Sequence, residues 1–468
     1  MDGITQLAWV SAKAFLISVI ATPIIRDVFR AYNVVDRPGR RKVHRHPIPR
    51  VGGIAIALAY AVSLISLRDI SGSLPNASSP FWTLVAGAAV VFGVGLLDDF
   101  FDLKPVFKIA GEVAAAGIVF WNGVRIETIG GAAVPLWLSF VLTLGWLLLT
   151  TNALNLIDGL DGLCAGMGLL ATLTLFGAAL ISGNFPLAHA TLPLAAALFG
   201  FLFYNFNPAT VFLGDSGALL IGFLLGCYGM LWTEKTATLL SVTVPLLALS
   251  IPLLDVSVSV VRRFLRNRPI FSADRGHIHH KLLELGLSPR RAVLILYLAS
   301  ALPAGLALLL SAPGLGKYQA YAVIVFFVAA WVGIRRLRYS EFDMVRHLLF
   351  GGEFQRTLDA RVRLKGLGVA LENCGDEDQW WNAVVQAARE LKWARVCWTG
   401  EHTTREQLLS SRDSPTWSFR IPLSPTENLD AEGYLESAAS QIDLVGFAEM
   451  LVRTYAGNRQ RWGAPVLP

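Results

Sequence analysis

Eleven apolar segments, which together make up most of the first 335 residues, constrain this 468-residue chain more than any other feature. Each has roughly the 17–25 residues that a helix needs to cross a bilayer. The composition agrees, because only 16% of the residues are charged and the mean hydropathy is +0.52, whereas soluble domains carry about 25% charged residues. The sequence therefore predicts an all-α polytopic membrane protein with about eleven transmembrane helices. The predicted spans are about 4–25, 51–67, 81–97, 105–121, 136–151, 163–182, 188–204, 217–232, 237–261, 292–311 and 318–335.

Basic residues indicate which ends of these spans face the cytoplasm. The connecting segments 26–50 and 262–291 each contain eight Lys and Arg residues, whereas 183–187 contains none. Because Lys and Arg concentrate in cytoplasmic loops, we expect the N-terminus outside and the C-terminal residues inside. No basic region precedes the first span, which predicts a retained helix and not a cleaved signal peptide.

The last part of the chain has a different composition. Residues 340–468 contain 14 basic and 18 acidic residues, a net charge of −4. We expect a membrane domain over 1–338 and a small cytoplasmic α+β domain over 339–468, weakly similar to ligand-sensing modules of the GAF type. The alternative is a solubilising or oligomerising appendage. The elements predicted within 339–468 are helices over 353–372 and 378–391, strands over 394–398 and 417–423, and a frayed terminus over 457–468.

Two functional classes are excluded by composition. The C-terminal residues lack the interleaved basic and aromatic residues of a nucleic-acid interface, so we expect no nucleic-acid partner. The four cysteines include no CxxC pair, which indicates neither a disulfide framework nor a zinc site.

Paired acids end the third predicted span. Asp98 and Asp99 come directly before a loop, and Lys108 follows nine residues after Asp99. Two adjacent carboxylates repel each other, which raises the pKa of one of them unless a cation neutralises the pair. The stretch therefore offers carboxylates for a metal or a proton and an ammonium for a phosphate. The alternative is an ordinary cytoplasmic turn capped by acids.

A second polar stretch ends the fifth predicted span. Asn152, Asn155, Asp158 and Asp161 recur every three residues, which places them along one stripe of a helix. Gly159 and Gly162 interrupt the stretch and allow another group to approach its backbone closely. Amide and carboxylate oxygens are hard ligands that suit magnesium. The alternative, a helix cap with solvated polar residues, does not explain four such residues after an apolar run.

Two further motifs suit phosphate groups and a base. Asp215 begins a predicted span, where free N–H groups favour nearby anions, and Phe212 just before it could stack on a base. Three histidines lie on a basic loop with Arg275, and the absence of a cysteine nearby favours pyrophosphate binding over zinc. Together these residues predict Mg²⁺-assisted phosphoryl transfer between a soluble and a lipid substrate. The histidines are His277, His279 and His280.

Over about residues 1–335 these motifs resemble the polyprenyl-phosphate N-acetylhexosamine-1-phosphate transferase family. The His277–His280 sequence is similar to the WecA-like branch and differs from the MraY branch. The matching segments are Arg41–His44, Pro49–Gly53, Asp98–Asp99, Asn152–Gly162, Tyr204–Ala209, Phe212–Asp215 and His277–His280.

This resemblance implies an activity. The chain is expected to transfer HexNAc-1-phosphate, with GlcNAc-1-phosphate as the first expectation, from a UDP-sugar to undecaprenyl phosphate. The products would be UMP and undecaprenyl-diphosphate-HexNAc, which initiates cell-envelope polysaccharide synthesis. The expected cofactor is Mg²⁺, with Mn²⁺ as an alternative. The alternatives are an MraY-type phospho-MurNAc-pentapeptide transferase and, from another class, an ion-coupled transporter.

The resemblance also implies a location and residue roles. We expect a bacterial cytoplasmic membrane protein in contact with lipid, with the active site and the C-terminal domain cytoplasmic. The number of subunits is left undecided, with a homodimer as one alternative. Direct attack by the lipid phosphate is favoured over a covalent aspartate intermediate. The expected catalytic residues are Asp98, Asp99, Asp158 and Asp161, and the expected metal ligands are Asn155 and Asp215. The expected substrate-binding residues are His44, Lys108, Asn152, Asn205, Phe212, Arg275, His277, His279 and His280.

Overall fold

The structure is a computed structural model, in which the chain forms two compact units, Met1–Tyr339 and Ser340–Pro468. The described residues are 3–36, 47–71, 80–129, 132–235, 242–265, 276–312, 314–315, 318–336, 367–390, 393–400, 403–409, 417–433 and 441–462.

The first unit is built almost entirely from helices. They are α1 (Gly3–Ala31), α2 (Gly52–Ser71), α3 (Pro80–Phe101), α4 (Pro105–Trp121), α5 (Leu136–Ile157), α6 (Leu163–Ile181), α7 (Phe185–Asn205), α8 (Gly214–Lys235), α9 (Thr243–Ala248), α10 (Ser250–Leu265), α11 (Ile278–Glu284), α12 (Pro289–Leu310) and α13 (Gln319–Arg336). A two-stranded hairpin, β1 (Thr128–Ile129) and β2 (Ala132–Ala133), joins α4 to α5.

Among the described residues, seven helices are long and apolar enough to cross a membrane: α1, α3, α5, α6, α7, α8 and α12. Shorter apolar stretches lie in α2 and α13. Every predicted span overlaps a helix, and the ninth is divided between α9 and α10. The polytopic helical class is thus observed, while the number eleven stays a prediction.

Helix α8 lies at the centre of the first unit, because 89% of the residues in its most apolar stretch are buried. Small residues allow this burial, because they let helix backbones approach closely. A Cβ atom added to Gly53 of α2 would lie 2.3 Å from the Gly217 nitrogen, and one added to Gly95 of α3 would lie 2.6 Å from the Ser216 Cα. Gly222 likewise packs against the backbone of Thr151 on α5. The N-terminus of α8 is therefore held between α2 and α3.

In its described residues, the second unit combines helical segments with an antiparallel sheet. Helices α14 (Glu377–Glu390) and α15 (Gln441–Arg461) accompany strands β3 (Arg395–Thr399), β4 (Thr404–Leu408), β5 (Trp417–Pro422) and β6 (Asn428–Gly433). The strand order is β4-β3-β6-β5. Val396, Trp398 and Leu429 on one sheet face form a core with Trp380 of α14 and Tyr455 of α15.

The sequence predicted part of this unit. The predicted helix over 378–391 and both predicted strands appear as α14, β3 and β5. Strands β4 and β6 were missed because their residues are mainly polar or charged. The predicted fraying is wrong for residues 457–461, because α15 continues to Arg461 and the Asn458 side chain donates to the Leu371 carbonyl at 2.5 Å. The predicted helix over 353–372 lies outside the described residues except for 367–372, which are helical.

Candidate active site

The paired aspartates at the end of α3 have different environments. The Asp99 carboxylate accepts hydrogen bonds from the Asp215 N–H at 2.7 Å, from the Ser216 N–H at 3.0 Å and from the Ser216 hydroxyl at 2.6 Å. The two N–H groups belong to the first turn of α8, where backbone N–H groups have no partner within the helix. Asp99 therefore caps α8 and holds the backbone of Asp215, and its catalytic role stays a prediction.

Asp98 points to a different group of residues. Its Oδ1 accepts from the Leu103 N–H at 2.8 Å, and its Oδ2 accepts from the Lys108 ammonium at 3.0 Å. Lys108 also forms an ion pair with Asp215 Oδ2. The Asn155 amide lies 3.4 Å from that same oxygen. Side chains from α3, α4, α5 and α8 are thus linked by direct polar contacts.

This group of side chains fits a divalent cation. Asp215 and Asn155 supply hard oxygen ligands, and a cationic group, the Lys108 ammonium, already lies between the carboxylates of Asp98 and Asp215. No cluster of three or more His, Cys, Asp or Glu residues suited to a metal occurs within the described part of the chain. Magnesium commonly binds one or two carboxylates together with substrate phosphates, so one carboxylate and one amide suit a Mg²⁺ ion that also binds phosphate.

Sequence reasoning missed Glu112 on α4, one turn beyond Lys108. Its side chain is 3% exposed, and its Oε2 accepts from the Asn152 amide at 2.5 Å. The other oxygen, Oε1, is buried with no partner among the described residues. The signal was present, because a single acid inside an apolar span is costly and usually functional. Asn152, predicted to bind substrate, therefore bonds Glu112 and also the Leu148 carbonyl.

The loop between α5 and α6 carries Asp158 and Asp161. Asp158 ends α5, and burial together with the negative charge of Asp215 raises its pKa to about 8. Asp161 Oδ2 accepts from the Asn207 amide and from the Ala209 N–H, both at 3.0 Å. Asp158 is thus near the charge of the α8 N-terminus, while Asp161 holds the turn that follows α7.

The Asn205 side chain is buried and bonds the backbone of two other segments. It is 2% exposed; its Oδ1 accepts from the Gly162 N–H at 3.1 Å, and its Nδ2 donates to the Val211 carbonyl at 2.9 Å. Both ends of the amide are therefore used within the protein. Asn205 therefore joins the loop after α5 to the segment before α8, and its substrate-binding role stays a prediction.

Phe212 lies on the segment that leads into α8. Its backbone N–H donates to the Pro49 carbonyl, and its carbonyl accepts from the Gly52 N–H, both at 2.9 Å. The Gly53 N–H donates to the Leu213 carbonyl in the same way. The Pro49–Gly53 motif therefore supports the approach to Asp215. His44 and Arg275, two other predicted substrate-binding residues, lie outside the described residues.

The histidines occupy the start of α11. His277 Nδ1 lies 2.9 Å from the carboxylate of buried Asp255, a residue that sequence reasoning missed. The His279 ring packs against Gly159, and burial lowers its pKa to about 3. The rings of His279 and His280 are 4.3 Å apart. The structure thus brings the histidine motif against the loop that carries Asp158 and Asp161.

The fold and the site together are those of a polytopic helical protein whose acidic and amide side chains gather at the ends of apolar helices. Residues 81–233 match the model of glycosyl transferase family 4. The chain is 33% identical over 297 residues to the probable undecaprenyl-phosphate N-acetylglucosaminyl 1-phosphate transferase of Bacillus subtilis, covering 61% of this chain and 80% of the relative. It is 34% identical over 324 residues to the decaprenyl-phosphate N-acetylglucosaminephosphotransferase of Mycobacterium tuberculosis, covering 63% and 80%.

A third relative, the undecaprenyl-phosphate alpha-N-acetylglucosaminyl 1-phosphate transferase of Escherichia coli, is 28% identical over 305 residues, covering 63% of this chain and 81% of the relative. The chain belongs to the polyprenyl-phosphate N-acetylhexosamine-1-phosphate transferase family. The family resemblance drawn from the motifs is confirmed.

Proposed function

We propose that this protein transfers GlcNAc-1-phosphate from UDP-GlcNAc to undecaprenyl phosphate or a similar polyprenyl phosphate in a bacterial membrane. The names of the relatives support a GlcNAc-1-phosphate group and a polyprenyl phosphate acceptor. The observation that carries the proposal is the meeting of Asp98, Lys108, Asn155 and Asp215 at one point, although they come from four helices.

The reaction is a direct displacement at phosphorus. An oxygen of the lipid phosphate forms a bond to the β-phosphorus of the donor, the bond from that phosphorus to the bridging oxygen breaks, and UMP leaves with the bridging oxygen. Lys108 would bind the lipid phosphate, and Asp98 would orient it or accept its proton. Fixed charges at these positions lower the barrier because phosphoryl transfer depends mainly on positioning and charge neutralisation.

Asp215 and Asn155 would hold Mg²⁺, which neutralises charge on the donor's pyrophosphate when bound. Asp99 supports this role by holding the first turn of α8. Asp158 and Asp161 would line the nucleotide-sugar side of the site, Phe212 would stack on uracil, and the histidines of α11 would contact the pyrophosphate or the sugar.

The membrane topology is part of the proposal. We infer eleven spans, with the N-terminus outside and both the site and the C-terminal unit in the cytoplasm. The support is the distribution of basic residues, eight in each of the segments 26–50 and 262–291. Cytoplasmic access agrees with a soluble nucleotide-sugar donor.

The test is release of UMP by the purified protein from UDP-GlcNAc, UDP-GalNAc and UDP-MurNAc-pentapeptide, with undecaprenyl phosphate and Mg²⁺. We expect UDP-GlcNAc to react fastest and Asp215→Asn to abolish the reaction. Asp27→Asn is the matched control, because Asp27 is an exposed carboxylate on α1. Retained activity in Asp215→Asn would remove Asp215 from the metal role, and a preference for UDP-MurNAc-pentapeptide would favour the MraY-type alternative.

A further inference from the structure

Asp255 is a buried acid on α10 that bonds the histidine motif. It is 2% exposed. Its Oδ2 lies 2.9 Å from His277 Nδ1, and its Oδ1 accepts from the Ile278 N–H at 2.7 Å. A buried carboxylate without partners is strongly unfavourable. Both oxygens of Asp255 are therefore committed to the two residues that begin α11.

Two more residues of α10 bond the same segment. Ser259 and Arg262 follow Asp255 by four and seven residues, so all three lie on one face of the helix. The Ser259 hydroxyl lies 3.3 Å from His277 Nδ1, and Arg262 Nη1 donates to the Gly276 carbonyl at 2.6 Å. One face of α10 thus holds residues 276–278 by side chain and by backbone.

The residues held by α10 are connected to the site through two stacked histidine rings. The His277 and His279 rings are parallel within 3°, with centroids 5.7 Å apart. His279 in turn lies directly against the loop after α5, where a Cβ added to Gly159 would be 2.4 Å from His279 Nε2. The orientation of His277 is therefore linked to the position of the loop that carries Asp158.

We propose that Asp255 is a positioning residue that fixes the His277 ring for binding of the donor's sugar. An ionised carboxylate only accepts hydrogen bonds, so His277 Nδ1 carries the hydrogen that Asp255 accepts, and Nε2, which carries none, accepts from a hydroxyl group of the sugar. The partner of one imidazole nitrogen sets the state of the other. This inference rests on the proposed function for the identity of the ligand, but the hydrogen on Nδ1 can be tested without it.

The experiment compares the wild-type protein, Asp255→Asn, His277→Ala and the double variant, with kcat and KM measured for UDP-GlcNAc. His277 Nδ1 and the Ile278 N–H bond different oxygens of Asp255, and Asn replaces one of these oxygens by an NH₂ donor. Asp255→Asn should therefore lower kcat/KM by about 10- to 100-fold, the usual cost of removing such a supporting partner. In the His277→Ala background the same substitution should cost less than about twofold, because it acts through the absent ring. Ser257→Ala is the control, because its hydroxyl bonds the Leu253 carbonyl and should leave activity unchanged.

An equal loss from Asp255→Asn with and without His277 would overturn the proposal, since it would indicate a general effect on α11. If Asp255→Asn does not fold, ¹⁵N NMR of the histidine-labelled wild-type protein replaces it, with His277→Gln assigning the signal. We expect a hydrogen on Nδ1; an unprotonated Nδ1 would overturn the proposal. Absence of UMP release from every donor would contradict the proposed function alone, because the NMR result stands apart from turnover.

Discussion

Replacing Asp99 by Asn should lower stability and activity together. The Asp99 carboxylate accepts from the Asp215 N–H, the Ser216 N–H and the Ser216 hydroxyl. Asn has one acceptor oxygen and turns N–H groups towards a helix N-terminus that needs acceptors. A hydrogen bond to a charged group contributes about 1.5–3 kcal/mol. We therefore expect the free energy of unfolding to fall by about 3 kcal/mol, and activity to fall by about 10- to 100-fold as Asp215 shifts.

Asp98→Asn is the matched control, one residue away on the same helix. Asp98 keeps its bond from the Leu103 N–H through the amide oxygen and loses only the charge opposite Lys108. Lys108 keeps its ion pair with Asp215, so the free energy of unfolding should fall by less than in Asp99→Asn. Activity should nevertheless fall by at least about 100-fold, the lower range for losing a group that handles the reacting proton.

The assay is unfolding of both variants in detergent, followed by circular dichroism, together with UMP release. We expect Asp99→Asn to be destabilised clearly more than Asp98→Asn, although both variants lose activity. Wild-type stability in Asp99→Asn would refute the assignment of Asp99 as the cap of α8. Equal destabilisation of the two variants would refute the division of roles between the neighbouring aspartates.

Three further predictions concern the same site. Lys108→Met should tighten Mn²⁺ binding to the substrate-free protein by about tenfold or more, because it removes a cation held between two carboxylates; unchanged affinity by electron paramagnetic resonance would contradict this. Gly159→Ala should lower activity at least about tenfold, since the new Cβ would meet His279, whereas Gly117→Ala, with open space around it, should be neutral in the same assay. The pKa of Asp158 is about 8 in the folded protein, whereas the unfolded chain releases this proton near pH 4. The free energy of unfolding therefore falls as the pH rises between these two values. Asp158→Asn should raise the melting temperature at pH 8 and not near pH 4.

The sequence by itself determined the protein class, the position of the helices and the residues that meet at the site. Apolar segments and polar clusters at their ends are local properties, and local properties can be read from consecutive residues. Asp98, Lys108, Asn155 and Asp215 were therefore all identified before their contacts were known. In the second unit the same reasoning found α14, β3 and β5, and it missed the polar strands β4 and β6.

Only the tertiary structure decided what each polar residue does. Asp98 and Asp99 are adjacent and identical in type, yet one meets Lys108 and the other caps α8, 116 residues away. The importance of Glu112 and of Asp255 became visible only through partners 40 and 22 residues distant. The physical reason is that a carboxylate's role depends on which donors reach it, and in a helical bundle those donors come from other helices whose packing no short stretch of sequence specifies.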